Sequence, residues 1–242
     1  MKKLFLALML AVGFATAQAQ VTGDLDVMSD YRFRGISQTQ NGPGVAGKIA
    51  YDDPTGLYIA GRLRSVSADV FHGSSGAEAD VFAGWRKDVY KGLIVDVGSY
   101  NYFYPRATSP VDTGSNYDTY EGYLGLAYGP VSVKYSRTLG NGYFGTANAQ
   151  GTGYYQADVN YPIAGSKFSL LGHAGHTNIA NSANLNYTDY NFGVGYNLVG
   201  WQIAAKYYTN SDLTNTFKTD NTVDGQKLYK NAAVLSVSKS FE

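Results

Sequence analysis

Polar and apolar residues alternate along most of this chain. Between Val21 and Arg34 the odd positions (Val21, Gly23, Leu25, Val27, Ser29, Tyr31, Phe33) carry no charge, whereas the even positions (Thr22, Asp24, Asp26, Met28, Asp30, Arg32, Arg34) carry five. A period of two is that of a strand with one apolar and one polar face. The pattern recurs with Gly, Pro and Asp between the repeats. It predicts twelve strands, at about 21–34, 44–52, 57–66, 77–87, 92–104, 117–128, 130–138, 152–161, 167–176, 187–198, 200–209 and 227–241. Each is near the ~9–11 residues that cross a bilayer at a tilt.

The links between strands alternate in length. Five are short: Asp52–Gly56, Asp88–Lys91, Gly129-Pro130, Pro162–Ser166 and the turn at Val199-Gly200. Six are long and polar: 35–43, 67–76, 105–116, 139–151, 177–186 and 210–226. An even strand number with this alternation is the layout of an antiparallel transmembrane β-barrel, with short periplasmic turns and long extracellular loops. No helix pattern of useful length and no domain boundary is visible, so residues 20–242 read as one outer-membrane barrel.

The faces can be assigned strand by strand. In 57–66, Leu57, Ile59, Gly61 and Leu63 alternate with Tyr58, Ala60, Arg62 and Arg64. In 187–198, Tyr190, Phe192, Val194, Tyr196 and Leu198 alternate with Asp189, Asn191, Gly193, Gly195 and Asn197. An Arg on the lipid face near the midplane costs roughly 2–4 kcal/mol, so the charged face points to the lumen. On the apolar face, Tyr51, Trp85, Tyr128, Tyr161, Tyr196, Trp201 and Phe241 fall beside short turns or the terminus. Tyr31, Phe33, Tyr120, Tyr190 and Tyr207 fall near long loops. Two aromatic belts at two interfaces are expected. A soluble β-sandwich would also be rich in aromatics, but would not sort them to strand ends.

Composition extends the picture. Residues 1–19 read as a signal peptide: Lys2 and Lys3, an apolar run from Leu4 to Phe14, and an A-x-A site at Ala17-Gln18-Ala19. Without Lys2 and Lys3, 17 basic side chains stand against 19 acidic ones, which gives no reason to expect a nucleic-acid partner. There is no cysteine, so an exported chain must be held together by something other than disulfides. The 29 glycines and 22 tyrosines suit a curved sheet at a lipid–water interface. At the C-terminus Tyr229, Ala233, Leu235, Val237 and Phe241 share a face. That ending resembles the outer-membrane insertion signal read by the barrel-assembly machinery, with Phe241 penultimate and Lys239 interrupting the stripe.

The segment Ser29-Asp30-Tyr31-Arg32-Phe33-Arg34-Gly35-Ile36-Ser37-Gln38-Thr39, followed by Asn41-Gly42-Pro43, resembles the N-terminal signature of the TorF family of outer-membrane porins. The resemblance extends to Tyr100–Pro105 and to the Ser238-Lys239-Ser240-Phe241 ending. It implies an outer-membrane location in a Gram-negative bacterium and a porin-like role. It supplies no functional residues.

Charges on the polar faces are the candidate site. Arg32, Arg34, Lys48, Arg62, Arg64 and Lys230 would form a basic wall on the last, first, second and third strands. Glu78, Asp80, Asp96 and Glu121 would form an acidic wall beside it, with Asp158 and Asp189 extending it. Such walls would set a transverse field that selects small hydrophilic solutes or ions. The same charges could instead pair across strands and brace the lumen.

Other chemistry finds little support. Gly140–Gly145 fits G-x-G-x-x-G but opens no helix, so it reads as a flexible outer loop without a nucleotide. His173 and His176 lie three apart on a strand and point to opposite faces, a poor chelate. Ser169 shares a face with His173 but lies too far along the strand for a catalytic pair. No cofactor, metal or enzymatic activity is expected. A porin for passive diffusion is the favoured reading. A non-conducting barrel acting as adhesin or anchor is the alternative, followed by an outer-membrane hydrolase.

Overall fold

In the computed structural model, which describes residues 20–109 and 116–242, the alternating segments form a closed antiparallel barrel. The signal-peptide segment 1–19 lies outside the described residues. In chain order the strands are β1 (Gln20–Met28), β2 (Arg32–Phe33), β3 (Ile36–Ser37), β4 (Gly44–Asp52), β5 (Leu57–Ser65), β6 (Ala77–Tyr90), β7 (Leu93–Phe103), β8 (Thr119–Tyr128), β9 (Val131–Thr138), β10 (Gly153–Pro162), β11 (Phe168–Asn178), β12 (Tyr187–Leu198), β13 (Trp201–Ser211), β14 (Thr222–Val223), β15 (Gln226–Lys227) and β16 (Ala232–Phe241). Twelve of these make the barrel: β1, β4–β13 and β16. β1 closes on β16 through Gly23 opposite Phe241 and Met28 opposite Ser236. Closure pairs every strand edge, which replaces the missing disulfides as the device that holds the chain.

Side-chain alternation sets inside and outside. Leu25, Ile49, Leu63, Val81, Leu124, Val133, Phe192 and Leu235 are exposed on the outer surface. An apolar band of this extent is untenable in water and is the lipid-facing surface of a membrane barrel. Tyr128, Tyr161, Trp201 and Phe241 mark its short-turn rim, and Tyr120, Tyr190 and Tyr207 mark the other. Lys239 stays on the outer face by resting its Nζ over the Trp201 ring, at 5.0 Å, where the ammonium reaches the interface.

The two ends of the barrel wall differ from expectation. The first strand was expected to run to Arg34, but β1 ends at Met28. Residues 32–37 leave the wall as a separate hairpin of β2 and β3, turning at Arg34 (φ 48°) and Gly35 (φ 77°). Two successive residues with positive φ make the tight turn whose twist suits a hairpin, as also at Lys91-Gly92 and Val199-Gly200. Arg32 and Arg34 therefore do not stand on the strand wall. Tyr31 and Phe33 are not in the lipid belt: Tyr31 is buried inside, and Phe33 packs on Tyr102 and Phe144. The last strand starts at Ala232, which leaves Tyr229 and Lys230 in the preceding loop.

The long loops fold together over the barrel's outer half. Tyr31, Val66, Phe71, Tyr102, Tyr104 and Ala107 form one buried cluster; Ile36, Tyr187, Phe217 and Leu228 form a second. The 210–226 loop holds a short helix, α1 (Asn215–Asp220), whose Thr214 side chain accepts the Phe217 amide at 3.1 Å. Residues 140–145 are not a free loop. Tyr143 pairs with Thr146 around a tight turn at Phe144-Gly145 and is buried against Ala149 and Ile179.

Candidate functional site

The 32–37 hairpin crosses the lumen. In the ring of strands β9 lies diametrically opposite β1, flanked by β8 and β10. Arg34, at the tip, reaches this far side. Its Nη1 and Nη2 donate to the two carboxylate oxygens of Glu121 on β8 at 2.9 and 2.7 Å. Nη1 also meets the Tyr143 hydroxyl at 2.9 Å, and the guanidinium lies 4.0 Å over the Tyr154 ring on β10. Burial alone would lower the Arg34 guanidinium, but the Glu121 carboxylate outweighs it and holds the group above its ordinary value. The next residue must be glycine: a Cβ at Gly35 would collide with Asn210 Oδ1 and lie 2.7 Å from Asp189 Cβ.

The base of the hairpin is fastened by Asp30. Its carboxylate accepts from Arg32 Nε at 2.7 Å and from the Ser37 hydroxyl at 2.6 Å. Arg32 Nη1 adds bonds to the Gly35 carbonyl at 3.0 Å and the Lys230 carbonyl at 2.8 Å. Lys230 thus joins the site through its backbone.

Beside the hairpin, Arg64 is enclosed by Glu78 and Asp80 at 2.6 and 2.8 Å. The Tyr31 and Tyr104 hydroxyls donate to the same Glu78 at 3.1 and 3.0 Å, and the Tyr100 hydroxyl donates to Asp80 at 2.8 Å. Burial first, and the Glu78 charge second, push the Tyr31 and Tyr104 phenols well above the usual tyrosine range. Nearer the short turns Lys48 pairs with Asp24, and Asp96 accepts the hydroxyls of Tyr58 and Tyr123 at 2.8 and 3.2 Å. His173 is held between Asp158 at 2.6 Å and Asp189 at 2.9 Å. The Tyr154 hydroxyl is its third hydrogen-bonding neighbour, at 3.0 Å, and among the described residues no serine hydroxyl bonds to it. No metal-binding cluster occurs among the described residues.

Five of the ten expected wall residues meet directly: Arg34 with Glu121, and Arg64 with Glu78 and Asp80. Arg62 stands between Lys48 and Asp80 in the strand register, makes no ion pair within 4 Å among the described residues, leaves its buried Nε without an acceptor and lies 5.7 Å from the Phe82 ring. The alternation pattern did not single out Asp30, Lys134, Tyr154 or Lys206, although all carry polar groups into the lumen. A cavity of about 270 Å³ opens on the loop side of the hairpin and has Phe33 and Ile36 in its lining. A second, of about 420 Å³, lies toward the short turns and includes His173 and Lys206. The two share no lining residue.

Comparisons with known proteins agree with this architecture. The sequence model of the family Gcw_chp, described as a bacterial protein of unknown function, matches residues 13–241. No curated protein matches the chain. Among solved structures, the chain is similar to a KdgM porin in complex with disordered oligogalacturonate, at 9% identity and a TM-score of 0.54, covering 93% of this chain and 99% of that one. It is also similar to the NanC porin, at 14% identity and a TM-score of 0.53, covering 90% and 99%. At such identities the likeness speaks for the fold, which is that of an outer-membrane porin barrel.

Proposed function

The chain belongs to the Gcw_chp family of bacterial proteins of unknown function, and on that premise we propose that it is an outer-membrane porin for the passive diffusion of small hydrophilic solutes. The observation that carries this reading is the inversion of polarity: an apolar outer band encloses a lumen lined by Lys48, Arg62, Arg64, Asp80, Asp96 and Glu121. The likeness of the 29–43 segment to the TorF signature points the same way. An intermediate strand number also suits a narrow conduit, because eight strands are filled by side chains and sixteen leave an open channel.

The hairpin sets the width of the path. Solutes must pass the Arg34 tip and its Glu121 partner, so conductance is small and governed by that contact. Reconstitution in planar bilayers tests the reading: discrete single-channel steps are expected. The filled outer half favours one second reading, a non-conducting barrel whose loops serve adhesion or anchoring. Absence of steps from both the wild type and a variant with the Arg34–Glu121 contact removed would establish that reading instead.

A further inference from the structure

Three apolar clusters meet on the loop side of the hairpin without closing the space between them. Phe71 belongs to the first, Tyr187 and Phe217 to the second, and Tyr143 and Ile179 to the third. All five line the cavity of about 270 Å³. That volume is close to twice the ~150 Å³ that takes one benzene ring. Its wall is rich in ring pairs: Phe33 with Phe144 at 5.2 Å, Phe71 with Tyr117 at 5.1 Å, and Tyr187 with Phe217 at 4.7 Å between centroids.

Asp220 is the one charged side chain in that lining. It is exposed, so the cavity reaches solvent beside it. Asp220 lies three residues after Phe217 on α1, which puts carboxylate and ring on one helix face. Lys218, the cation of α1, lies two residues away on another face. Among the described residues the Asp220 carboxylate makes no ion pair and no hydrogen bond. Burial raises its carboxyl above the ordinary value, and no neighbouring charge contributes to the shift. The Arg34 guanidinium lies 4.8 Å over the Phe33 ring and 5.8 Å over the Tyr143 ring, and its charge is balanced by Glu121. Among the described residues no lysine or arginine stands over the rings of Phe144, Tyr187 or Phe217.

We propose that this vestibule binds small organic cations, alkylammonium groups whose charge meets Asp220 and whose methyl groups meet the surrounding rings. An ammonium wrapped in methyl groups is weakly hydrated and is attracted to the negative faces of aromatic rings. A small metal ion keeps its hydration shell and finds only one carboxylate here. A neutral apolar solute would fill the cavity and leave Asp220 without a counter-charge. Binding does not rest on the porin reading; the use of the site as the entry to a path through the barrel does.

The test uses the full barrel in a maltoside detergent, which carries no ammonium group, with choline as the probe. Calorimetry is expected to show saturable choline binding by the wild type. Dimethylbutanol, the uncharged isostere of choline, should bind about tenfold more weakly or worse. Asp220→Asn should weaken choline by a similar factor and leave the alcohol unchanged. Asp224→Asn, on the same loop but outside the lining, should keep wild-type affinity. A heat-dependent shift in gel mobility shows that each variant is still a closed barrel. Choline that does not saturate, or that binds wild type and Asp220→Asn alike, overturns the site. So does an alcohol that binds as tightly as choline, a loss as large in Asp224→Asn, or displacement of choline by an equal concentration of potassium. Choline binding by a barrel that stays silent in bilayers, with and without the Arg34–Glu121 contact, upholds the site and removes the porin reading.

Discussion

Arg34 and Glu121, 87 positions apart in sequence, form a bidentate ion pair across the lumen with N–O distances of 2.9 and 2.7 Å and both side chains buried. The fork of a guanidinium matches the two oxygens of a carboxylate, which fixes direction as well as distance. The pair therefore fastens the tip of the 32–37 hairpin to the wall opposite its root. Glu121→Gln removes the charge and leaves a buried guanidinium uncompensated, at a cost of about 3–5 kcal/mol. The hairpin should detach, since the barrel wall does not depend on it. The expected outcome is larger and noisier single-channel conductance with unchanged heat-resistant barrel mobility on gels. Arg34→Met combined with Glu121→Leu, which removes both charges, should restore much of the lost stability to chemical unfolding.

Gly35→Ala tests the same hairpin from its backbone. The new methyl would meet Asn210 and Asp189, and φ at 77° is itself unfavourable for alanine. Strain at such a position costs on the order of 1–3 kcal/mol before the collision is counted. Limited proteolysis is expected to cut near Arg34 in this variant and to spare the wild type. An uncut variant with wild-type conductance would show that the tip tolerates a side chain.

Arg34 also shows where the sequence misled. The wall was legible because period-2 alternation persists for eight to fourteen residues in each barrel strand, and only one register hides the charges. The hairpin was hidden by the same rule. Asp30, Arg32 and Arg34 continue the phase of Asp24 and Asp26, so one long strand and a strand followed by a hairpin read alike. The Arg34-Gly35 pair, flanked by alternating residues, was the available signal for a turn. Tyr31 and Phe33 were misplaced with it. The pairing of Arg64 with Glu78 and Asp80 was within reach, as neighbouring strands bring them together.

The assignment of faces predicts opposite outcomes for adjacent residues on β12. Phe192 is exposed on the outer surface near the middle of the strand, while Asn191 faces inward beside Tyr208 of β13. Phe192→Arg places a charge in the hydrocarbon and should cost about 2–4 kcal/mol. Asn191→Arg places it in the hydrated lumen and should leave stability within about 0.5 kcal/mol. Reversible folding into lipid vesicles, followed by urea titration, measures both. Equal losses in the two variants would contradict the register.

The packed loops should loosen in alkali before the barrel does. Tyr31 and Tyr104 both donate to Glu78, and both phenols are held well above the ordinary value of 10 by burial and then by that carboxylate. The sign follows from the direction of the shift. The neutral phenol is the form the packed loops accept, whereas a detached loop lets it ionise near pH 10. Stability from these two groups is therefore complete below pH 10 and falls as pH rises from there toward their raised values. Conductance recorded between about pH 8 and 12 should stay level and then climb above pH 10. Tyr31→Phe removes one of the titrating groups, so its climb should be shallower, although the lost bond to Glu78 raises conductance at neutral pH. A profile of the same steepness in Tyr31→Phe would assign the alkaline opening to other groups, such as the lysines of the outer loops.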